Sequence, residues 1–340
     1  ALAEDEGQRS PLGSFKALGA PLALVAEVLR RNPSWEGRGV LAGRYAEALA
    51  SFTVISATDG NHGRSLAAAA QDAGCRCVIV LHAEVSEERE TAIAQLGAEI
   101  VRVAGNYDES VAEAARLADA EGWQVISDTS YAGYERIPGD VMQGYSRIAA
   151  EALAQAPEGF THVVLQGGVG GLAAGVISEF WGRLGAARPT FLVVEPAQAD
   201  CLLQSAKLGR AATATGSVDS VMAGLACGEA SPLAWRFLES SVDAFLTIED
   251  EVAVDAMRRL AAGSTREPPQ VVGECGAAGL AALGGLSFRD RQALGLDERA
   301  SVLLINTEGA TAPGVYASLV GESAAAVAAR RDQWQPPAGP

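Results

Sequence analysis

Short apolar, β-branched runs recur along the chain, and Ala-rich stretches with apolar positions at helical spacing separate them. The runs "FTVISA" (52–57), "CVIVLH" (77–82), "AEIVRV" (98–103) and "WQVIS" (123–127) predict four strands. A second set, "HVVLQ" (162–166), "TFLVVE" (190–195), "AFLTI" (244–248) and "SVLLIN" (301–306), predicts four more. Helical patterns fall near 62–73, 86–97, 107–120, 140–155, 170–184, 249–262 and 275–284. Another runs through "FKALGAPLALVAEVLRR", with Ser14 as its expected N-cap and with Gly19 and Pro21 expected to kink or loosen it. The opening "ALAEDEGQR" reads as a strand edge. This alternation is the signature of an α/β fold with parallel strands and crossover helices. Two sets of strands predict two sheets, hence two lobes joined near 140–158, and α/β ligand sites sit in crevices at the carboxyl ends of such strands.

Composition narrows the class. At 340 residues, 49% hydrophobic and 20% charged, the chain suits one large or two ordinary globular domains. No run approaches the roughly 18 apolar residues of a membrane span. A formal charge of −16 argues against a nucleic-acid partner. Five cysteines are an odd number, which argues against a disulfide framework. No exported-protein leader opens the sequence, and a cytoplasmic location is expected.

Three stretches carry candidate chemistry. Of 26 Lys plus Arg, only Lys16 and Lys207 are lysines. Lys16 falls in the first turn of its predicted helix, where the dipole disfavours a positive charge. A neutral amine attacks aldehydes, whereas arginine stays protonated. The second stretch is "HVVLQGGVGGLAAG" (162–175), a strand running through Gly167, Gly168, Val169, Gly170 and Gly171 into a helix. Such a loop offers backbone amides and a helix N-terminus to an anion. Read as Gly168-x-Gly170-x-x-Ala173, with Glu195 closing a later strand, it also matches a dinucleotide fingerprint. Phosphate cofactor, dinucleotide and tight packing all remain open for it. The third is "SATDGNHGRSLAAAA" (56–70), which crowds Asp59, Asn61 and His62 at the end of a strand. Asp59 suits a carboxylate base or an ammonium-binding group, Asn61 a donor to a ligand oxygen, and His62 a structural position more than a catalytic one. The other histidines, His82 and His162, lie in predicted strands, and no metal-ligand cluster, nucleophile elbow or P-loop is found.

A lysine in "SFKALGA", then "DGNHGR", then "GGVGGLA", in that order, resembles the fold-type II pyridoxal-phosphate enzymes. The nearer match is the diaminopropionate ammonia-lyase family, on "LGSFKALG", "SATDGNHGRSLA", "SDTSYAGYE", "GDVMQGY", "VEPAQADC", "VGECGAAGLAAL" and "INTEGATAP". The resemblance implies two lobes, each a mostly parallel twisted sheet flanked by helices, with pyridoxal 5'-phosphate in the cleft. It assigns 1–51 and 145–340 to a large cofactor-binding domain and 52–144 to a small one, with 334–340 a disordered tail. Relatives carry a longer stretch ahead of the lysine, which implies lobe-packing and dimer-contact elements beyond this sequence. They often show Lys where Glu4 stands, and Pro11 precedes the lysine turn.

Residue by residue, the resemblance makes Lys16, next to Phe15, the lysine that forms the internal aldimine. Residues 167–171 become the phosphate cradle, Asn61 the partner of the phenolic oxygen, and Thr307 the neutral group beside the pyridine nitrogen. An unprotonated ring is a weaker electron sink and suits elimination over transamination. Asp59 stands where hydroxy-amino-acid dehydratases usually carry Ser. With Asp128 it would hold a substrate's distal ammonium, which is costly to leave unpaired in a closed site. The implied reaction converts 2,3-diaminopropionate to pyruvate and ammonia through aldimine and aminoacrylate intermediates. Lys16 would remove the Cα proton of the L-isomer and Asp59 that of the D-isomer. The alternatives are a serine/threonine-type dehydratase or β-replacement enzyme of the same fold, a nicotinamide oxidoreductase using 168–173, and a non-catalytic binding protein. By analogy the resemblance also implies a homodimer in amino-acid catabolism, no metal, a packed Cys275 thiol, and an open question of a cystine between Cys201 and Cys227.

Overall fold

In the computed structural model all nine strands of the described residues run parallel, in two separate sheets. The description covers residues 2–336 apart from Asp59, Glu84 and Asn106, and apart from the side chains of Leu2 and Asp108. The strands are β1 (Leu2–Asp5), β2 (Thr53–Ala57), β3 (Arg76–Leu81), β4 (Glu99–Arg102) and β5 (Gln124–Val125). They continue with β6 (His162–Gln166), β7 (Thr190–Pro196), β8 (Ala244–Ile248) and β9 (Val302–Asn306). The opening segment is an edge strand, as the sequence predicts, and pairs from Leu2↔Leu303 to Asp5↔Asn306.

One compact unit comprises the residues up to Phe15 and those from Ser146 on. Its sheet has the order β1-β9-β6-β7-β8. Every residue of β6 is buried, as a central strand covered on both faces requires. The Ala278–Gly285 helix, made only of Ala, Gly and Leu, packs on the sheet around Val164, Leu192 and Val194. His162 holds structural bonds here, with Nε2 2.8 Å from the Leu294 carbonyl oxygen. The expected disordered tail at 334–340 is docked at Trp334, whose Nε1 donates to the Ser264 carbonyl at 3.0 Å; residues 337–340 lie outside the described residues.

The second unit spans Lys16–Tyr145 and carries the order β4-β3-β2-β5. The sequence reading groups residues 1–51 with the large domain, and here the structure differs. The Lys16–Arg31 helix packs on the Asn61–Ala73 helix and, at Val141, Gly144 and Tyr145, on the start of the Arg136–Gln155 helix, and the chain changes unit after Phe15. Glycine makes the second contact possible. A Cβ on Gly19 would lie 2.6 Å from Tyr145, and one on Gly144 would collide with the Leu18 carbonyl, 2.8 Å from its carbon and closer still to its oxygen. The Lys16–Arg31 helix continues through Pro21. The Arg136–Gln155 helix begins before the predicted 140, because Pro138 sits in its first turn, where no N–H is needed. Among the described residues no helix is long and apolar enough to cross a membrane.

Candidate active site

Lys16 is the first residue of its helix, and the backbone before it is pinned. The Phe15 N–H donates to the Thr307 carbonyl at 3.0 Å, and the Gly309 N–H donates to the Gly13 carbonyl at 2.9 Å. Ser14, expected as the N-cap, instead forms an antiparallel bridge with Glu308. In the second unit the Lys16 carbonyl accepts from Ser65 Oγ at 2.7 Å, tying the lysine to the helix that opens with Asn61. Its side chain is 20% exposed, and its Nζ forms an ion pair with Asp128 Oδ2 while lying 5.8 Å from the centroid of the Tyr145 ring. The helix N-terminus alone disfavours a charged lysine; the adjacent carboxylate favours it.

Asp128 follows β5 and is 21% exposed. Tyr134 holds its approach, accepting from the Ser127 N–H at 2.9 Å and donating to the Val125 carbonyl at 3.0 Å. Burial works to raise the Asp128 pKa, but the Lys16 ammonium and the nearby His62 overcome it and hold the carboxyl well below the usual carboxylate range. His62 Nδ1 lies 3.9 Å from the same Oδ2. Sequence reasoning treats His62 as structural, and its Nε2 does contact the Ile126 carbonyl at 2.8 Å. Its second nitrogen nevertheless faces the lysine–aspartate pair.

The turn before Asn61 is organised by Thr58, which sequence reasoning missed. Its buried Oγ1 accepts from the N–H groups of Gly60 and Gly63 at 3.2 and 3.3 Å. The pattern Thr-x-Gly-x-x-Gly was a legible signal for such a turn. Asn61 begins the helix on this turn. Asp59 lies outside the described residues. The structure thus brings Lys16, His62 and Asp128 together, with Asn61 on the same helix as His62.

The glycine loop belongs to the first unit. Gly167 continues the β6–β7 pairing, its N–H donating to the Val194 carbonyl at 2.7 Å. A Cβ there would lie 2.8–3.0 Å from Val193, Glu195 and Leu202, so only glycine fits. Gly170 has φ +100°, a left-handed conformation that side chains avoid, and no side chain caps the Gly171–Leu184 helix that follows. Its first-turn amides are therefore presented to an incoming anion. The carbonyls of Gly168 and Val169 are tied back, to Cys201 Sγ at 3.4 Å and the Ser231 N–H at 2.9 Å. Thr307 follows β9 in the same unit and is 2% exposed, and among the described residues its Oγ1 has no hydrogen-bond partner.

Residues 2–308 match the family described as "Pyridoxal-phosphate dependent enzyme". The chain belongs to this family. Diaminopropionate ammonia-lyase of Escherichia coli (strain K12) is 37% identical over 336 residues, 96% of this chain and 84% of that protein. The crystal structure of selenomethionine-incorporated holo diaminopropionate ammonia lyase from Escherichia coli matches with a TM-score of 0.86 at 35% identity, covering 94% of this chain and 82% of that one. The Escherichia coli enzyme in complex with the aminoacrylate–PLP azomethine reaction intermediate matches at 0.84 and 36%, with the same coverage. The architecture is that of the fold-type II enzymes, and the family cofactor is pyridoxal 5'-phosphate.

The residues present fit that cofactor. A buried hydroxyl with no partner, at Thr307, is costly unless a ligand group meets it, and a ring nitrogen is such a group. A loop in which Gly167 and Gly170 leave no room for a Cβ, opening onto an uncapped helix, fits a phosphate. The dinucleotide reading loses its acidic residue. Glu195 is fully buried and accepts from the N–H groups of Leu202 and Leu203 at 2.7 and 2.8 Å, so it braces the loop from behind; burial pushes its pKa up to about 8. All five cysteines are free thiols, and burial raises the Cys275 thiol. Gly170→Ala forces a strained φ and presses a Cβ to within 2.9 Å of Leu238. We expect it to weaken cofactor affinity by about tenfold, on a strain of about 1–2 kcal/mol per left-handed residue, in a fluorescence titration with pyridoxal 5'-phosphate.

Proposed function

We propose that this chain is a carbon–nitrogen lyase that removes the β-amino group of 2,3-diaminopropionate and, with one water to hydrolyse the remaining imine, gives pyruvate and two molecules of ammonia. The observation that carries the reading is the Lys16–Asp128 ion pair, which sets a carboxylate suited to an ammonium beside the one lysine suited to an aldehyde. Similarity to diaminopropionate ammonia-lyase over 96% of the chain supports it.

When bound, pyridoxal phosphate withdraws electrons from the substrate's Cα. In this reading Lys16 would anchor the cofactor's aldehyde carbon, with Phe15 fixing the backbone ahead of it. The amides of Gly167, Gly168, Val169, Gly170 and Gly171 would hold the phosphate. Thr307 Oγ1 would offer a neutral partner to the ring nitrogen, and Asn61 would serve the phenolic oxygen. Lys16 Nζ takes the Cα proton of the L-isomer and Asp59 that of the D-isomer. Asp128 receives the substrate's distal ammonium in place of the Lys16 ammonium, so the carboxylate is never left alone. The finer setting we propose is a cytoplasmic homodimer in amino-acid catabolism, without nucleic-acid or membrane partners.

Pyruvate release from a panel of β-substituted amino acids tests the reading. Diaminopropionate should exceed serine and threonine in kcat/KM by about 10²-fold, the scale of a charge-assisted hydrogen bond of about 3 kcal/mol. Faster turnover of serine or threonine would make this a hydroxy-amino-acid dehydratase instead.

A further inference from the structure

His62 has no part in the reaction as described so far, yet its ring is only 4% exposed and both its nitrogens point at defined groups. A carbonyl oxygen can only accept, so Nε2, 2.8 Å from the Ile126 oxygen, carries the ring proton. Nδ1 is then the bare acceptor, and among the described residues it has no hydrogen-bond partner. It stands 3.9 Å from Asp128 Oδ2, the oxygen that also pairs with Lys16 Nζ. Two acceptors facing each other repel, and a buried ring nitrogen without a partner is destabilising. A proton on Nδ1 replaces that repulsion with an ion pair between His62 and Asp128.

We infer that His62 is the proton acceptor that converts the Lys16 ammonium to the free amine, acting through the Asp128 carboxylate that bridges them. The inference rests on Lys16 being the lysine that bonds the cofactor. An N–H bond of the Lys16 ammonium breaks and an N–H bond on His62 Nδ1 forms. Asp128 Oδ2 relays the proton and ends ionised, and nothing is oxidised or reduced. The cluster holds one cation and one carboxylate before and after. Moving the cation within the cluster therefore adds no charge to a buried site, whereas losing the proton to solvent would strand the carboxylate.

The surrounding groups leave the His62 ring neutral at rest and so able to accept a proton. Burial lowers the His62 pKa; Asp128 opposes that shift and the Lys16 ammonium adds to it. Once Lys16 is neutral its opposition disappears while Asp128 remains. The phenols of Tyr145 and Tyr134, which neighbour the pair, are pushed up by burial and stay neutral.

The test mixes full-length protein, freed of cofactor, with pyridoxal 5'-phosphate across a pH series. The adduct is fixed with borohydride and quantified on the Lys16 peptide by mass spectrometry. Wild-type capture should slow on the acid side as His62 becomes protonated. His62→Gln retains a donor for the Ile126 carbonyl but cannot titrate. It should capture about 10²-fold more slowly near neutrality, the scale of a lost general base, show no acid limb, and converge with wild type at alkaline pH. Superimposable profiles overturn the inference. An adduct on another residue overturns the reading of Lys16 and this inference with it. Should His62→Gln fail to fold, imidazole nitrogen NMR decides, since the chain has only three histidines. The His62 pKa should rise in Lys16→Met relative to wild type; an unchanged value overturns the inference.

Discussion

Lys16→Arg should abolish pyruvate formation, lowering kcat by at least about 10⁴-fold, because in the proposed reaction one substitution removes both a nucleophile and a proton carrier. The guanidinium stays protonated at any working pH and cannot bond an aldehyde carbon. It can still pair with Asp128, so the ion pair that anchors the first turn survives in altered form. The Phe15–Thr307 and Ser65–Lys16 bonds use backbone groups of the lysine segment and are indifferent to its side chain. Thermal unfolding should therefore shift by only a few degrees. The glycine loop is built from other residues, so inorganic phosphate should bind as in wild type. Borohydride should fix no cofactor to the variant. Turnover above about one per cent of wild type, or a reducible adduct, would remove Lys16 from the chemistry. The chain's own usage makes the substitution informative, since nearly every other positive charge is already arginine.

The strands were legible because each is a short apolar run bounded by polar or Gly-containing turns, and even the edge pairing of Leu2–Asp5 shows in the opening residues. The unit that holds Lys16 was not. Amphipathic spacing shows that the Lys16–Arg31 helix has an apolar face but not which surface covers it. The contact that decides this is Gly19 against Gly144, two small residues far apart in the sequence. Helices such as Gly37–Leu41, Cys201–Leu208 and Pro232–Leu238 are too short to show a period above noise. Among the candidate residues, Lys16 and the glycine loop stand out by residue type, because few residues substitute for an amine or for a backbone without Cβ; their roles are those of the proposed reaction. Glu195 and Thr58 were hidden for the opposite reason. Their roles lie in bonds to backbone amides, which any acceptor of the right length can make and which only the fold reveals.

Asp128→Asn should separate the diamino substrate from its hydroxy counterparts. The two side chains have nearly the same shape, so the variant tests charge. An exposed ion pair is worth about 0–1 kcal/mol, whereas breaking a buried one costs about 3–5 kcal/mol. Lys16 and Asp128, each about one-fifth exposed, lie between these limits and nearer the buried one. A loss of about 3–4 kcal/mol corresponds to about 10²–10³-fold in kcat/KM for diaminopropionate, whose distal ammonium would meet a neutral amide. Serine carries no second ammonium, so its slower turnover should fall by a smaller factor and the ratio of the two should narrow. An equal fall for both would confine Asp128 to holding Lys16, and no fall for either would leave it outside the site. Stability supplies an independent sign. Because the folded-state pKa of Asp128 is depressed, its charge contributes stability that is fully present above the unfolded value near 3.8 and is lost as pH falls through the folded value. The melting-temperature gap between wild type and Asp128→Asn should thus be constant around neutrality and close only at strongly acid pH. A gap that closes near neutrality would mean that the carboxylate is not held ionised by Lys16.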